Sequence, residues 1–200
     1  GQGDATLVID GFNSILVDTG GVYRNESIAK RQIFPVLRYY GIRHLNAIIL
    51  THHDLDHAGG LNDLVRRGVD TVFSPHVLPV NNHITVKSTR MIYLNKARIK
   101  LVPMSSILPT VTSNNDGIIV QVYYKQWSFL MTGDIDQASE IALIRSNLVN
   151  HYTFLKLGHH GSRLSNSMAF LQTVQPHFVW NSSGRYNLYG HPHTMVLSRL

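Results

Sequence analysis

Residues 47–50 of this chain read AIIL, and the ten that follow read THHDLDHAGG. An apolar run of strand type thus opens directly into three histidines and two carboxylates, which restricts the fold to one that uses the mouth of a strand for polar chemistry. His52, Asp54 and Asp56 alternate along the turn and His57 is placed at the start of the next helix, so four potential ligands can converge from six residues. Imidazole and carboxylate together suit zinc, manganese or iron better than calcium or magnesium. The plainer reading is a solvated loop in which an aspartate caps the following helix. That accounts for one aspartate, but not for two with three histidines. His53 lies between ligand positions and is expected to point away.

Two further polar clusters follow strand-like segments. MTGDID (131–136) sets Asp134 after WSFLMTG, and KLGHHGS (156–162) sets His159 and His160 after TFLKLG. Alone, Asp134 reads as a turn residue or helix cap, and a lone HHGS is a weak signal. Seven of the twelve histidines nevertheless fall in THHDLDH, HHGS and HPH. Strand ends at one edge of a sheet are where sites on α/β folds gather.

Hydrophobic periodicity and turn residues give the remaining elements. ATLVI (5–9) and SILVDTG (14–20) form a hairpin through DGFN. Residues 28–40 form a helix kinked near Pro35 and ending at Gly41, followed by the strand NAIILT (46–51) and the helix HAGGLNDLVRRG (57–68). Strands are predicted at 71–74, 90–94, 97–103, 117–124, 127–133, 153–158 and 177–183, with helices at 138–148 and 168–174. Strands with interspersed helices, twice over, predict two mixed sheets with helices outside.

Composition narrows the function. With 200 residues, 44% hydrophobic and 15% charged, the chain is expected to form one folded domain. The formal net charge of +6 favours an anionic partner such as nucleic acid, although the basic residues are scattered. No cysteine is present, which excludes disulfides, thiolate metal sites and cysteine nucleophiles. No run approaches the roughly 20 apolar residues needed to span a bilayer, and no signal peptide is evident. The opening GQGD and the helical-looking end at Leu200 suggest a piece of something larger.

THHDLDHAGG resembles the HxHxDH signature of the metallo-β-lactamase superfamily, with Asp54 where the second histidine usually stands. ILVDTG, MTGD and HHGS follow in that superfamily's order. More narrowly, GQGDATLVI, DTGG, THHDLDHAGGL, MTGDID with Glu140 after it, LKLGHHGS and SSGRYNLYGHPH followed by VLSRL resemble the C-terminal domain of the ComEC family of bacterial DNA-uptake channels, over nearly the whole chain. The resemblance implies an αββα sandwich of two mixed β-sheets with helices outside, the α/β fold of that superfamily, spanning residues 1–200. It implies two divalent transition ions. His52 and Asp54 would serve the first, Asp56 and His57 the second, and Asp134 would bridge both. A late ligand comes from the HHGS pair, with His159 favoured over His160 and both left open. A histidine usual between HxHxDH and TGD is absent, since only His76 and His83 occur there, well before the expected strand. SNNDGIIV (113–120) stands in that region, where water or Asn114 would fill the position. The oxygen-rich set shifts the expected metal toward manganese, with zinc as the alternative.

What the resemblance implies in chemistry is metal-dependent hydrolysis of DNA phosphodiesters, degrading one strand while the other enters the cell. Asp56 would ligate a metal and orient the attacking hydroxide. His191 would stabilise the scissile phosphate or protonate the leaving oxygen, unless it only braces the Gly190 turn. Ser162, Ser183 and the backbone near Gly161 and Gly184 are candidate phosphate donors, with Arg163, Arg185 and Asn187 as further substrate contacts. Tyr186 and Tyr189 are candidates to stack on bases. Lys156 reads as an outward-facing lysine, with a role behind an acidic ligand as the alternative. The expected setting is the outer face of the cytoplasmic membrane, attached to the channel, with DNA as partner, no organic cofactor and a monomeric domain. Two other readings remain: a secreted small-ester hydrolase acting on phosphocholine or lactone esters, and a catalytically degenerate DNA-binding domain.

Overall fold

In a computed structural model, residues 3–24, 26–108 and 116–200 are described, and they fall into two units, 1–86 and 87–200. In the first, β1 (Thr6–Asp10) and β2 (Asn13–Val17) pair antiparallel around Gly11, whose φ of 65° is a left-handed conformation that costs glycine little. A short ribbon of β3 (Val22–Tyr23) and β4 (Glu26–Ser27) follows, unforeseen because each strand has two residues. The expected helix over 28–40 is split. A π-helical turn, Ala29–Ile33, leads into α1 (Phe34–Tyr39), with Pro35 in its first turn, where a missing N–H is harmless.

β5 (Leu45–Ile49) then enters the sheet, parallel to β2. The helix expected over 57–68 is two helices, α2 (Leu55–Ala58) and α3 (Leu61–Arg67), broken at Gly59 and Gly60. The break is a packing requirement. A Cβ at Gly60 would lie 2.2 Å from the Thr19 carbonyl oxygen, and one at Gly59 would lie 2.5 Å from that of Leu55. With β6 (Val69–Ser74) and β7 (His83–Thr85), the sheet runs β1-β2-β5-β6-β7. Leu16, Ile48 and Val72 of three adjacent strands pack with Leu37, Leu61 and Leu64 of the helices. Full burial of each such side chain is worth about 1.5–3 kcal/mol.

The second unit begins with β8 (Arg90–Tyr93), β9 (Ala97–Pro103), β10 (Ile118–Tyr124) and β11 (Trp127–Met131), joined antiparallel in sequence. After α4 (Gln137–Arg145), β12 (Phe154–Lys156) adds parallel to β11. After α5 (Met168–Val174), β13 (Phe178–Trp180) adds parallel to β12. The sheet order is β13-β12-β11-β10-β9-β8, and α6 (Thr194–Leu197) closes the chain. Val102, Ile119, Leu130 and Leu155 meet Leu143, Phe170, Leu171, Val174 and Val196 in one core. Side chains supply the caps that register these helices. Asp136 accepts from the Ser139 N–H at 2.9 Å before α4, and Ser167 accepts from the Phe170 N–H at 3.2 Å before α5.

Candidate functional site

In the first unit the polar groups are held by a residue whose role the sequence left unread. Asp18 follows β2 in a left-handed conformation (φ 58°) and lies buried. One of its oxygens accepts from the Thr51 N–H at 2.7 Å, and the other from the Thr51 hydroxyl at 2.8 Å. The second oxygen also meets His57 Nδ1 at 2.8 Å. A carboxylate there places the imidazole proton on Nδ1 and makes Nε2 the lone-pair nitrogen. That Nε2 lies 3.8 Å from Asp4 Oδ2, and both residues are buried. His57 is the third residue of α2, not its first; the helix starts at Leu55.

His52 is also buried, with Nδ1 3.0 Å from the Thr51 hydroxyl and its ring 4.0 Å from that of His57. Its Nε2 lies 3.7 Å from Asp54 Oδ2. Asp54 occupies the N-cap position of α2, but its side chain makes no capping hydrogen bond, so capping does not explain it. Asp56 is half-buried, and its carbonyl accepts from the Asp4 N–H at 3.0 Å. His53 packs edge-on against His76, 5.2 Å between centroids. His83 Nε2 meets the Ser74 hydroxyl at 2.8 Å.

The second unit carries a matching arrangement. Asp134 follows β11 through Gly133 and is buried. His159 Nε2 and His160 Nε2 lie 3.8 Å and 3.6 Å from its Oδ2. His160 Nδ1 is 2.8 Å from the Ser182 carbonyl, to which it donates, so its Nε2 is again the lone-pair nitrogen. His160 is nearly inaccessible, whereas the His159 side chain is 27% exposed. Both histidines take left-handed φ angles of 50° and 55°, a conformation that costs about 1–3 kcal/mol for such residues unless the surroundings enforce it. Here the preceding residue is clamped. The Asn166 side chain accepts from the Gly158 N–H at 2.9 Å and donates to its carbonyl at 3.0 Å.

Asp4 with His57, and Asp134 with His160, are thus buried side chains of the kind that hold a metal ion. The donors are imidazole nitrogen and carboxylate oxygen, each buried histidine being oriented through its other nitrogen. That chemistry fits a divalent transition ion and leaves zinc and manganese both eligible.

The C-terminal loops present the other candidates. The Asn187 amide is engaged within its own loop. Its Nδ2 donates to the Gly184 and His191 carbonyls at 2.8 and 2.6 Å, and its Oδ1 accepts from the His191 and Tyr189 N–H groups at 2.9 and 3.2 Å. Ser183 Oγ accepts from the Asn181 amide at 2.8 Å, and the buried Ser162 Oγ accepts from the Leu164 N–H at 3.2 Å. Arg163 is exposed, and Arg185 lies over the Tyr186 ring at 5.6 Å. The pKa of His191 is lowered, first by burial and then by His159 and His160, so its neutral form is favoured. Lys156 corrects the expectation of an outward-facing side chain: it and its neighbour Leu155, which point to opposite faces of β12, are both buried, so both faces of the strand are covered. Asn114 lies outside the described residues.

Asp4 and Asp18 sit inside the motifs GQGD and DTGG, which by themselves assign neither residue a role. Asp18 follows an apolar strand just as Asp134 does, and that shared pattern is the signal that could have found it. Asp4 precedes its strand and carries no comparable mark.

The sequence profile of the "Metallo-beta-lactamase superfamily" matches residues 1–177. The chain belongs to the metallo-β-lactamase superfamily. Its fold is the metallo-β-lactamase fold, with mixed sheets and helices, and B. subtilis YhfI, a metallo-beta-lactamase fold protein, superimposes over 98% of this chain and 85% of its own with a TM-score of 0.63 at 12% identity. MEM-A1, a subclass B3 metallo-beta-lactamase from a soil metagenome library, gives a TM-score of 0.53 at 19% identity, covering 68% of this chain and 58% of its own. Among curated proteins, the whole chain is 32% identical to "Recombination protein 2" of Haemophilus influenzae and 30% identical to "Competence protein ComA" of Neisseria gonorrhoeae. It is 28% identical to "ComE operon protein 3" of Bacillus subtilis, again from end to end. The resemblance to the ComEC family therefore covers this metallo-β-lactamase domain completely. The chain spans 25%, 28% and 29% of the lengths of these three relatives.

Proposed function

We propose that this metallo-β-lactamase domain is a metal-dependent nuclease that hydrolyses DNA phosphodiester bonds during DNA uptake, degrading the strand that does not enter. The observation that carries this reading is the end-to-end similarity to proteins named for competence and recombination. The 200 residues would act as one hydrolase domain of a longer membrane protein, on the outer face of the cytoplasmic membrane beside the channel. No helix among the described residues is long and apolar enough to cross a membrane.

The histidine and aspartate groups of the two units would hold up to two divalent ions: His52, Asp54, Asp56, His57 and Asp4 from the first, Asp134, His159 and His160 from the second. When bound, such ions supply Lewis-acid activation of water and of a phosphoryl oxygen. The protein's own part is orientation and proton placement. Asp18 and the Ser182 carbonyl fix the tautomers of His57 and His160, presenting nitrogen lone pairs without rearrangement. Asp56 would orient the attacking oxygen. His191, favoured in its neutral form, would hydrogen-bond the leaving oxygen. With four aspartates beside four histidines, the donor set admits manganese, the ion proposed here, with zinc as the alternative.

A degenerate DNA-binding domain is the second reading, favoured by the absence of any histidine between His83 and His151. Comparing turnover of an oligonucleotide with that of phosphocholine and lactone esters tests the proposal. Turnover of the oligonucleotide alone supports it. Turnover of the small esters alone assigns the secreted-hydrolase chemistry, and turnover of neither assigns the degenerate domain.

A further inference from the structure

Within the second unit, the loops 159–164 and 189–193 enclose a cleft of about 440 Å³. His159, Ser162, Arg163, Tyr189, His191 and His193 line it, and no carboxylate does. Two of these residues are set up to receive an anion. Arg163 is exposed and has no ion-pair partner among the described residues. His193 Nδ1 accepts from the Met195 N–H at 3.2 Å, so its proton resides on Nε2, which is a donor even in the neutral ring. The third feature is an aromatic platform. Tyr189 is 71% exposed and stacks on His191 at 5.8 Å with 26° between planes. Its loop is not a slack surface coil, because the Asn187 amide ties the backbone on both sides of the ring.

We propose that this cleft holds one unpaired nucleotide, with its phosphate against Arg163 and His193 and its base stacked on Tyr189. The proposal deepens the nuclease reading and rests on it. Volume and chemistry both favour a nucleotide over a bare anion: the cleft is within the size range of small-molecule sites, and an anion alone has no use for an exposed ring on an anchored loop beside its donors. The requirement for an unpaired base follows from stacking. In a duplex both faces of an internal base are covered by its neighbours, so Tyr189 can reach only a single strand or a frayed end. The site would therefore set the strand preference of the domain.

The test is fluorescence anisotropy of a labelled 15-nucleotide oligothymidylate and of a labelled blunt duplex, measured with EDTA so that no cleavage occurs. Tighter binding of the single strand is expected. Tyr189→Ala should weaken it about ten-fold and Tyr189→Phe should not, because stacking needs the ring and not the hydroxyl. Arg163→Ala should weaken binding and flatten its logarithmic salt dependence by about 0.7, the value for one phosphate contact on a single strand. Equal affinity for the two probes, or a Tyr189→Ala variant that binds like the wild type, overturns the proposal. Digestion with manganese, run in parallel, separates it from the nuclease reading. Cleavage without the Tyr189 effect removes the cleft and leaves the nuclease. Tyr189-dependent binding without cleavage leaves the cleft and removes the nuclease. Circular dichroism of each variant verifies that these exposed substitutions leave the fold intact.

Discussion

Glu140 on α4 is buried, and it is the residue through which the structure braces the HHGS loop. Its Oε1 accepts from the Asn166 N–H, and its Oε2 accepts from the Ser167 N–H at 2.9 Å. Asn166 in turn clamps both backbone groups of Gly158, and its carbonyl accepts from Arg199 at 2.9 Å. Glu140→Gln keeps the shape but turns an amide NH₂ toward one of the two N–H donors. One hydrogen bond to the carboxyl is lost and a buried N–H is left unsatisfied, which costs about 1–3 kcal/mol. Glu140→Ala strands both N–H groups and should cost about 2–6 kcal/mol, a large share of a typical domain stability of about 5–15 kcal/mol. Urea unfolding should show the midpoint falling in that order, Gln then Ala, with the slope unchanged. A Glu140→Gln variant within about 0.5 kcal/mol of the wild type would refute the clamp.

The same residue has a signed pH dependence. Burial is the largest influence on it and raises its pKa, outweighing the hydrogen bonds from Ser167 and Asn166 and the nearby Arg199 charge that lower it. A raised carboxyl pKa means that the folded protein binds the proton more tightly than the unfolded chain. The associated stability is fully present below the usual carboxylate range and is lost as pH rises through the folded pKa. The stability gap between wild type and Glu140→Gln should therefore narrow as pH rises past that range. A widening gap would show that the hydrogen bonds outweigh burial.

Other expectations follow from single features. Reconstitution with excess manganese or zinc followed by elemental analysis should give up to two ions per chain, and a value below about 0.2 would mark the site as degenerate. Gly60→Ala forces a Cβ to within 2.2 Å of the Thr19 carbonyl oxygen and should cost about 1–3 kcal/mol by urea unfolding; an unchanged midpoint would contradict the packing account of the α2–α3 break. Arg185→Ala should weaken oligonucleotide binding and flatten its salt slope by about one contact while leaving a nitrophenyl phosphodiester's hydrolysis little changed, and equal loss on both substrates would place Arg185 at the scissile phosphate.

The chemistry of this chain is legible where it is local. THHDLDH, MTGD and HHGS each follow an apolar run, so β5, β11 and β12 announce both the strand and what leaves its end. What is not legible is what sequence distance hides. Asp18 orients His57 from 39 positions away, and Asp4 lies 3.8 Å from the same ring from the far end of β1. Asp18 is marked by its place after an apolar strand and Asp4 by nothing, but the partner of neither can be read, because their contacts are set by how β1, β2 and α2 pack. Lys156 misleads for a related reason: alternation along a short strand cannot reveal that both of its faces are covered. Gly59 and Gly60 read as tolerated helix residues, yet the backbone approaches there leave no room for a Cβ. The left-handed conformations of His159 and His160 are likewise not announced by the sequence; they follow a residue, Gly158, that Asn166 and Glu140 anchor from a distance.

The most direct measurement of the central claim is digestion of end-labelled single- and double-stranded DNA by the purified protein with manganese, with zinc and with EDTA, alongside Asp134→Ala and His53→Ala. Asp134 faces both His159 and His160, whereas His53 packs on His76. The account predicts cleavage that requires metal, is strongest with manganese, is abolished in Asp134→Ala and is largely kept in His53→Ala. Cleavage that persists in EDTA, or equal losses in the two folded variants, would contradict it.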